Sequence, residues 1–277
     1  MESGVFIFDT DYSIDIVELA RELEQRGFDA LFVPEHTHIP ASRLSPWPGG
    51  ADLPKEYWHT YDPFVSLSFA AAATQKLKIG TGICLLPQRD TILAAKLTAS
   101  LDCMSGGRFI FGVGAGWNKE ELEHHGEIFE TRFKRLEEQL QAVKGLWTEE
   151  EFGFEGKYVT FTPSWSYPKP TQPKGPPIIL GGESDHTLKR IMKYADGWLP
   201  RGRHGFDAGE HMMRFRHAAE EAGRDPKDLT VTIFGASAKP DALESYREAG
   251  ITRALFPLPS EGRDKILPLL DKYQAAL

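Results

Sequence analysis

The sequence predicts a closed α/β barrel, the TIM (β/α)8 fold, with insertions after strands 2 and 4. Three observations lead there. Eight short β-branched or aromatic runs recur, segments of helical period separate them, and 277 residues is an ordinary barrel length. Such alternation calls for parallel strands joined by crossover helices, and eight repeats close on themselves. An open doubly wound sheet is the competing fold.

The strands are expected at GVFIF (4–8), ALFVP (30–34), LKIGTGI (77–83), RFIFGVG (108–114), PIILGG (177–182), DGWLP (196–200), TVTIFG (230–235) and RALFPL (253–258). Helical spacing shows in Ile16, Leu19, Ala20 and Leu23 before the Gly27 stop, in Phe133, Leu136, Leu140, Val143 and Trp147, and in Leu188, Ile191, Met192 and Ala195. Residues 35–62, rich in Pro, Gly and aromatics, form a long segment after strand 2; a loop of that length inside a compact domain is usually functional. Residues 149–176 contain FGFEGKYVTF, which reads as a hairpin with its turn at Glu155 and Gly156. Both segments carry large residues of buried type, so residues 1–277 read as a single domain with two insertions.

Composition excludes several classes of function. A formal net charge of −8 gives no basis for holding a polyanion, so nucleic acid is not expected as a partner. No apolar run approaches the roughly 20 residues of a membrane helix, and MESGVFIF lacks a basic leader, so no membrane partner and a cytoplasmic address are expected. Cys84 and Cys103 lie in apolar segments without metal spacing and read as reduced, buried thiols.

In a closed barrel the chemistry gathers at the C-terminal strand ends. There the sequence offers Glu35 and His36 after strand 2, Gly82 and Ile83 after strand 3, and GVGAGWN, with Gly114 and a final Asn118, after strand 4. Strand 5 is followed by Gly181, Gly182, Glu183 and Ser184, and strand 6 by Pro200 and Arg201. Few of these groups titrate. Such a mouth suits a flat cofactor that brings its own chemistry.

Gly80 and Gly82 interrupt strand 3 where side chains would pack, which marks a bulge, a corner or the close approach of a ligand. Gly112, Gly114 and Gly116 space as G-x-G-x-G, not as a dinucleotide fingerprint, and leave one face of the chain bare for a ring. The turn from Gly181 to Ser184 opens a helix and is an anion candidate, or equally an ordinary strand-to-helix turn with a serine cap. Arg201 and Arg203 are nearby charges, or solvated loop residues. His36 and His38 have the spacing of a metal pair, but strands 6 and 8 end in WLPR and FPLP, so no metal is expected. His124 and His125 read as a solvated loop.

Taken together, RGFDALFVPEHTHIP, LKIGTGICLLPQRDTILAAKLTASLDCMSGGRFIFGVGAGWNKEE, PKPTQPKGPPIILGG and YADGWLP resemble the luciferase-like superfamily of barrel oxidoreductases, in particular its coenzyme F420-dependent branch. The resemblance runs from residue 4 to about residue 200. It implies a cis peptide at Gly82–Ile83 backing the central ring of the cofactor, a bond costing about 3–4 kcal/mol. It also implies His36 as the catalytic proton donor or oxyanion stabiliser, and a cofactor site of Glu35, Gly82, Ile83, Gly114, Asn118, Gly181, Gly182, Glu183, Ser184 and Arg201.

The chain departs from the sugar-phosphate dehydrogenases of the superfamily, which carry a catalytic glutamate where Ala115 stands here. The expected reaction is hydride transfer between C5 of F420 and a small organic substrate, under a roof of Trp47, Trp58 and Trp165. Rivals are an FMN-dependent monooxygenase using reduced flavin and O2, a metal-dependent hydrolase, and a non-catalytic carrier of the cofactor. Arg43, Lys169, Arg201 or Arg203 would hold the anionic tail of F420. Relatives are often dimers, which makes a homodimer through the helices after strands 2 to 4 the expected assembly.

Overall fold

A computed structural model describes residues 1–50, 52–202 and 206–277. Eight parallel strands line the centre: β1 (Glu2–Phe6), β2 (Ala30–Val33), β3 (Lys78–Thr81), β4 (Phe109–Gly114), β5 (Ile178–Gly181), β6 (Gly197–Leu199), β7 (Thr230–Phe234) and β8 (Arg253–Pro257). They pair in the order β3-β2-β1-β8-β7-β6-β5-β4. Ile79 of β3 also lies opposite Phe109 of β4, and Gly80 opposite Ile110, so the sheet closes on itself and the open alternative is excluded. The crossover helices are α1 (Ile16–Gln25), α2 (Pro63–Ala73), α3 (Thr91–Ser105), α4 (Arg132–Thr148), α5 (Asp185–Tyr194), α6 (Ala208–Glu221), α7 (Pro240–Ala249) and α8 (Arg263–Gln274). Asp15, Asp62, Asp90, Ser184 and Asp207 cap α1, α2, α3, α5 and α6 through their side-chain oxygens, which satisfies amides that have no partner within the helix.

Two hydrophobic layers follow from the strand period. Leu31, Val33, Phe109, Phe111, Val113 and Trp198 point outward into the core shared with the helices. Ala30, Phe32, Ile110, Ile179, Leu199 and Leu255 fill the barrel, with Phe6, Ile83 and Phe234 packed against them. The glycines make this interior possible. A Cβ on Gly80 would sit 2.5 Å from the Phe32 ring, one on Gly82 3.0 Å from Phe234, and one on Gly112 1.9 Å from the Thr81 carbonyl oxygen. The bare face expected of the strand-4 glycines is therefore taken up partly by neighbouring protein.

The Gly82–Ile83 expectation is not met. Among the described residues the cis peptide bond is Tyr167–Pro168, so Gly82–Ile83 is trans. The irregularity at the end of β3 forms without it. Gly82 N donates to Val33 O at 2.8 Å, and pairing then moves from β2 to β4 through Cys84 and Leu85, opposite Val113 and Gly114.

The two insertions occupy different places. The described residues of 35–62 reach the C-terminal mouth through Glu35, His36 and Tyr57 and include the short helix Glu56–His59; Tyr61 N donates to Asp9 O at 2.8 Å, anchoring the return. Residues 149–176 instead form a hairpin of Phe152–Glu155 with Thr160–Ser164 on the flank of α4, where a Cβ on Gly145 would meet the Phe152 ring at 2.2 Å. Its loop is 156–159, a little later than the expected turn, because the Glu138 carboxylate collects the amides of Lys157, Tyr158 and Val159. Cys84 is a buried free thiol and Cys103 a partly buried one.

The other end of the barrel is tied by charge. Arg253, 5% exposed, donates from Nε to Glu2 at 2.8 Å, and Lys78 pairs with the same carboxylate. Burial alone would raise the Glu2 carboxyl, but the Arg253 and Lys78 charges overcome it and hold it below the usual range. A lowered carboxyl stabilises the fold above its unfolded-state pKa and loses that contribution as pH falls through the folded-state value. Glu2→Gln is expected to lower stability at neutral pH and to flatten the stability loss on acidification below roughly pH 5; urea titrations across that range measure both.

Candidate active site

The C-terminal strand ends open into a cavity of about 350 Å³. Its lower wall is backbone and aliphatic: Gly82, Ile83 and Leu85 after β3, Gly114 to Gly116 after β4, Gly181 and Gly182 after β5, and Leu199 of β6. Ile83 fits into this wall because its neighbours have no side chains; a Cβ on Gly114 would lie 2.6 Å from it and one on Gly181 2.8 Å. Phe8, Phe234, Tyr57 and Trp117 add rings. His36 and Arg201 supply the basic groups, and Ala115 lines the wall.

His36 is 8% exposed, and its Nδ1 lies 2.8 Å from Oε2 of Glu121, a carboxylate with no exposed surface. A carboxylate accepts hydrogen bonds, so Nδ1 carries the proton and Nε2 is the nitrogen left for a reactant. The other oxygen of Glu121 accepts from Thr37 N at 3.2 Å. Tyr57 and Trp117 flank the imidazole at ring distances of 5.3 and 5.7 Å. Burial pushes the Tyr57 phenol up, so it stays a neutral donor.

Glu121 was not foreseen from the sequence, although a signal exists. Asn118, Lys119, Glu120 and Glu121 have the N-x-x-E spacing of a capping box. Asn118 performs its half, its Oδ1 accepting from Glu121 N at 3.1 Å at the start of the short helix Lys119–His124. The glutamate turns instead to His36.

The structure brings together His36, Glu35, Gly82, Ile83, Gly114, Gly181, Gly182 and Arg201 around the cavity, but not Asn118, Glu183 or Ser184. Three of these positions are already engaged. Glu35 accepts from Leu85 N and Arg89 Nε, both at 2.7 Å, and so braces the chain after β3. Ser184 is an exposed helix cap whose Oγ accepts from Thr187 N at 3.2 Å. Glu183 clasps the Arg201 guanidinium at 2.8 and 2.7 Å.

The other expected cations lie elsewhere. Lys169 donates to Leu146 O at 2.9 Å on the α4 flank, Arg43 does not line the cavity, and Arg203 lies outside the described residues. Trp58 and Trp165 are 49% and 74% exposed and do not roof the cavity, because one turns outward and the other sits on the hairpin; Trp47 packs edge-on to Tyr57 at 5.7 Å. His124 and His125 are not merely solvated: His38 Nε2 is 2.8 Å from His124 Nδ1, and Thr37 Oγ1 is 2.8 Å from His125 Nε2. Among the described residues no group of three or more His, Cys, Asp or Glu side chains could hold a metal ion.

The luciferase-like monooxygenase family model matches residues 1–262. The chain belongs to that family. An uncharacterised protein of Mycobacterium tuberculosis is 37% identical to this luciferase-like chain over 280 residues, covering 100% of it and 99% of the relative. The monooxygenase RslO1 of Streptomyces bottropensis superposes with a TM-score of 0.81 at 19% identity, over 100% of this chain and 98% of that one. An F420-dependent secondary alcohol dehydrogenase in complex with an F420–acetone adduct gives 0.79 at 19% identity, with the same coverages, and both structures share the barrel fold. Family members include F420-dependent and FMN-dependent oxidoreductases.

A planar ring system fits the luciferase-like cavity in two respects. The wall is apolar and largely backbone, and unpaired amide groups lie buried near it: Asn118 Nδ2, and both polar atoms of Gln88, whose Nε2 is 3.9 Å from where a Cβ on Gly116 would stand. Gly182, with φ 114°, and the capped start of α5 present backbone at the place expected for a phosphate. Removal of the cap on the Glu121 helix separates its structural part from any ligand role. Asn118→Ala is expected to cost about 1 kcal/mol in urea unfolding, while Asn118→Ser, which keeps a neutral capping oxygen, is expected to cost less.

Proposed function

We propose that this chain is an F420-dependent oxidoreductase that exchanges a hydride with a small organic alcohol or carbonyl compound, with His36 as its catalytic acid–base. The observation that carries this reading is the buried His36–Glu121 pair, 2.8 Å apart, at the edge of an apolar and glycine-rich wall. Gly82, Ile83, Gly114, Gly181 and Gly182 would support the coenzyme ring. Bound there, the coenzyme would supply the hydride acceptor or donor at C5. Oxidation of a secondary alcohol removes a hydride from carbon and a proton from oxygen; His36 Nε2 takes that proton, and reduction of the ketone returns it. Glu121 holds Nδ1–H, so the imidazole keeps one orientation through the exchange. Phe8, Tyr57 and Trp117 exclude water, and Tyr57 adds a hydrogen-bond donor.

Calorimetric titration with F420 and with FMN, each oxidised and reduced, tests the coenzyme. Binding of F420 at least about tenfold tighter than FMN is the expected result; the reverse preference would place the chain with the reduced-flavin monooxygenases. His36→Ala should lower turnover by roughly 100-fold or more while the protein still binds coenzyme. Unchanged turnover would refute the role of His36.

The same reading extends to assembly. α2 leaves Val65 and Phe69 exposed and α3 leaves Ile92, Leu93 and Met104 exposed, an apolar surface that a second copy would cover. Phe69→Glu is expected to convert a homodimer into a monomer in light-scattering chromatography.

A further inference from the structure

Three histidines that the proposed chemistry leaves unused form a hydrogen-bonded chain beside His36. His38 Nε2 lies 2.8 Å from His124 Nδ1, and Thr37 Oγ1 lies 3.0 Å from His38 Nδ1 and 2.8 Å from His125 Nε2. The His38 and His124 rings are parallel to within 9°, with centres 5.1 Å apart. Nitrogens so much closer than the ring centres mean that the two rings meet at their edges and share one proton. The contact ties the first insertion to the end of the short helix Lys119–His124. It also stands next to the His36 pair, because Thr37 N donates to Glu121 at 3.2 Å.

Proton counting decides what this chain can tolerate. A neutral imidazole has one donor and one acceptor nitrogen, whereas an imidazolium has two donors. One added proton on His38 fits: Nδ1–H donates to Thr37 Oγ1, Nε2–H donates to His124 Nδ1, and the Thr37 hydroxyl donates to His125 Nε2. A further proton on His124 does not fit. It sets N–H against N–H across 2.8 Å and brings two like charges together. The charged neighbours are engaged elsewhere: Glu121 with His36, Glu120 with Ser45 N at 2.8 Å, Lys119 with Glu130 at 3.1 Å and Glu123 at 3.5 Å, Glu127 with Arg135 at 2.7 Å, and Glu35 with Arg89. Among the described residues no carboxylate forms an ion pair with His38, His124 or His125 that would offset a double charge. Burial first and the His38 charge second hold the His125 imidazole below its usual range, with Glu121 and Glu35 opposing and Arg89 adding to the effect.

We propose that His38 and His124 are positioning residues that form a pH-sensitive clasp, which near neutrality holds Thr37 against Glu121 and so steadies His36, and which opens when both rings are protonated. Imidazoles charge between about pH 5 and 8, and these rings are exposed or half-buried, so protons reach them from solvent. The opening is local. Farther along the insertion, the Ser45 N to Glu120 and Tyr61 N to Asp9 O bonds involve no imidazole. The clasp operates in the coenzyme-free protein, so its test is independent of the oxidoreductase reading.

Amide hydrogen exchange on the full-length protein, followed by NMR and expressed as protection factors, tests the clasp at about pH 7.5 and about pH 5. Thr37 should lose protection at least about tenfold at the lower pH, while Tyr61 keeps its own. His124→Asn offers an amide oxygen in place of Nδ1, an acceptor at either pH, so Thr37 should stay protected throughout. His124→Ala removes the partner and should leave Thr37 weakly protected at both values. Circular dichroism at each pH checks that the variants are folded. The proposal is overturned if Thr37 in the parent is equally protected at the two pH values, if His124→Asn loses protection as the parent does, if His124→Ala protects Thr37 as well as the parent near neutrality, or if Tyr61 opens together with Thr37.

Discussion

A carboxylate sealed from water against an imidazole constrains everything around it. Glu121 has no exposed surface, and its acceptors are satisfied by His36 Nδ1 and Thr37 N. An unpaired buried charge is costly, and removing one partner of such a pair commonly costs about 3–5 kcal/mol, so the two side chains fix each other. Because Glu121 sits on a short helix capped by Asn118, and His36 at the end of β2, the pair also pins the first insertion to the segment after β4. His38 with His124, and Ser45 N with Glu120 at 2.8 Å, repeat that connection farther out. Tyr57, which lines the cavity, and Trp47, packed edge-on to it, belong to the insertion held in this way.

The barrel beneath supplies shape and little reactivity. Glycines at 80, 82, 112, 114 and 181 are spaces into which Phe32, Phe234, the Thr81 carbonyl and Ile83 fit. The outcome is a dense interior topped by a low apolar wall. Glu35 lines that wall, and its ion pair with Arg89 and its bond to Leu85 N hold the irregular chain after β3. Cys84 nearby is inert, since burial first and the Glu35 charge second push its thiol well above the usual value.

The sequence made the barrel legible because strand and helix periods differ and each repeat carried its own signal. All eight runs became strands, with ends displaced by at most two residues; the first runs from Glu2 to Phe6. Site positions on glycines and at strand ends were legible for the same reason, since topology alone sends them to the mouth. Glu121 was hidden because its sequence context is that of a helix cap in a glutamate-rich run, and only the third dimension sets it beside a histidine 85 residues away. The roof was misread because aromatic content does not reveal direction: the hairpin that carries Trp165 lies on α4, while Tyr57 and Trp117, less prominent in sequence, close the cavity. Glu183 and Ser184 were assigned to a ligand by their place after β5, yet one clasps Arg201 and the other caps α5.

Among the described residues that line the cavity, His36 and Arg201 each pair with a carboxylate, and of the two His36 is the buried one. The most direct test is nitrogen-15 NMR of the His36 imidazole, assigned by comparison with His36→Ala, with and without F420. The account predicts a proton held on Nδ1 throughout and an Nε2 resonance that moves when coenzyme binds. A proton found on Nε2 with Nδ1 bare, or an Nε2 signal indifferent to saturating F420, would contradict it.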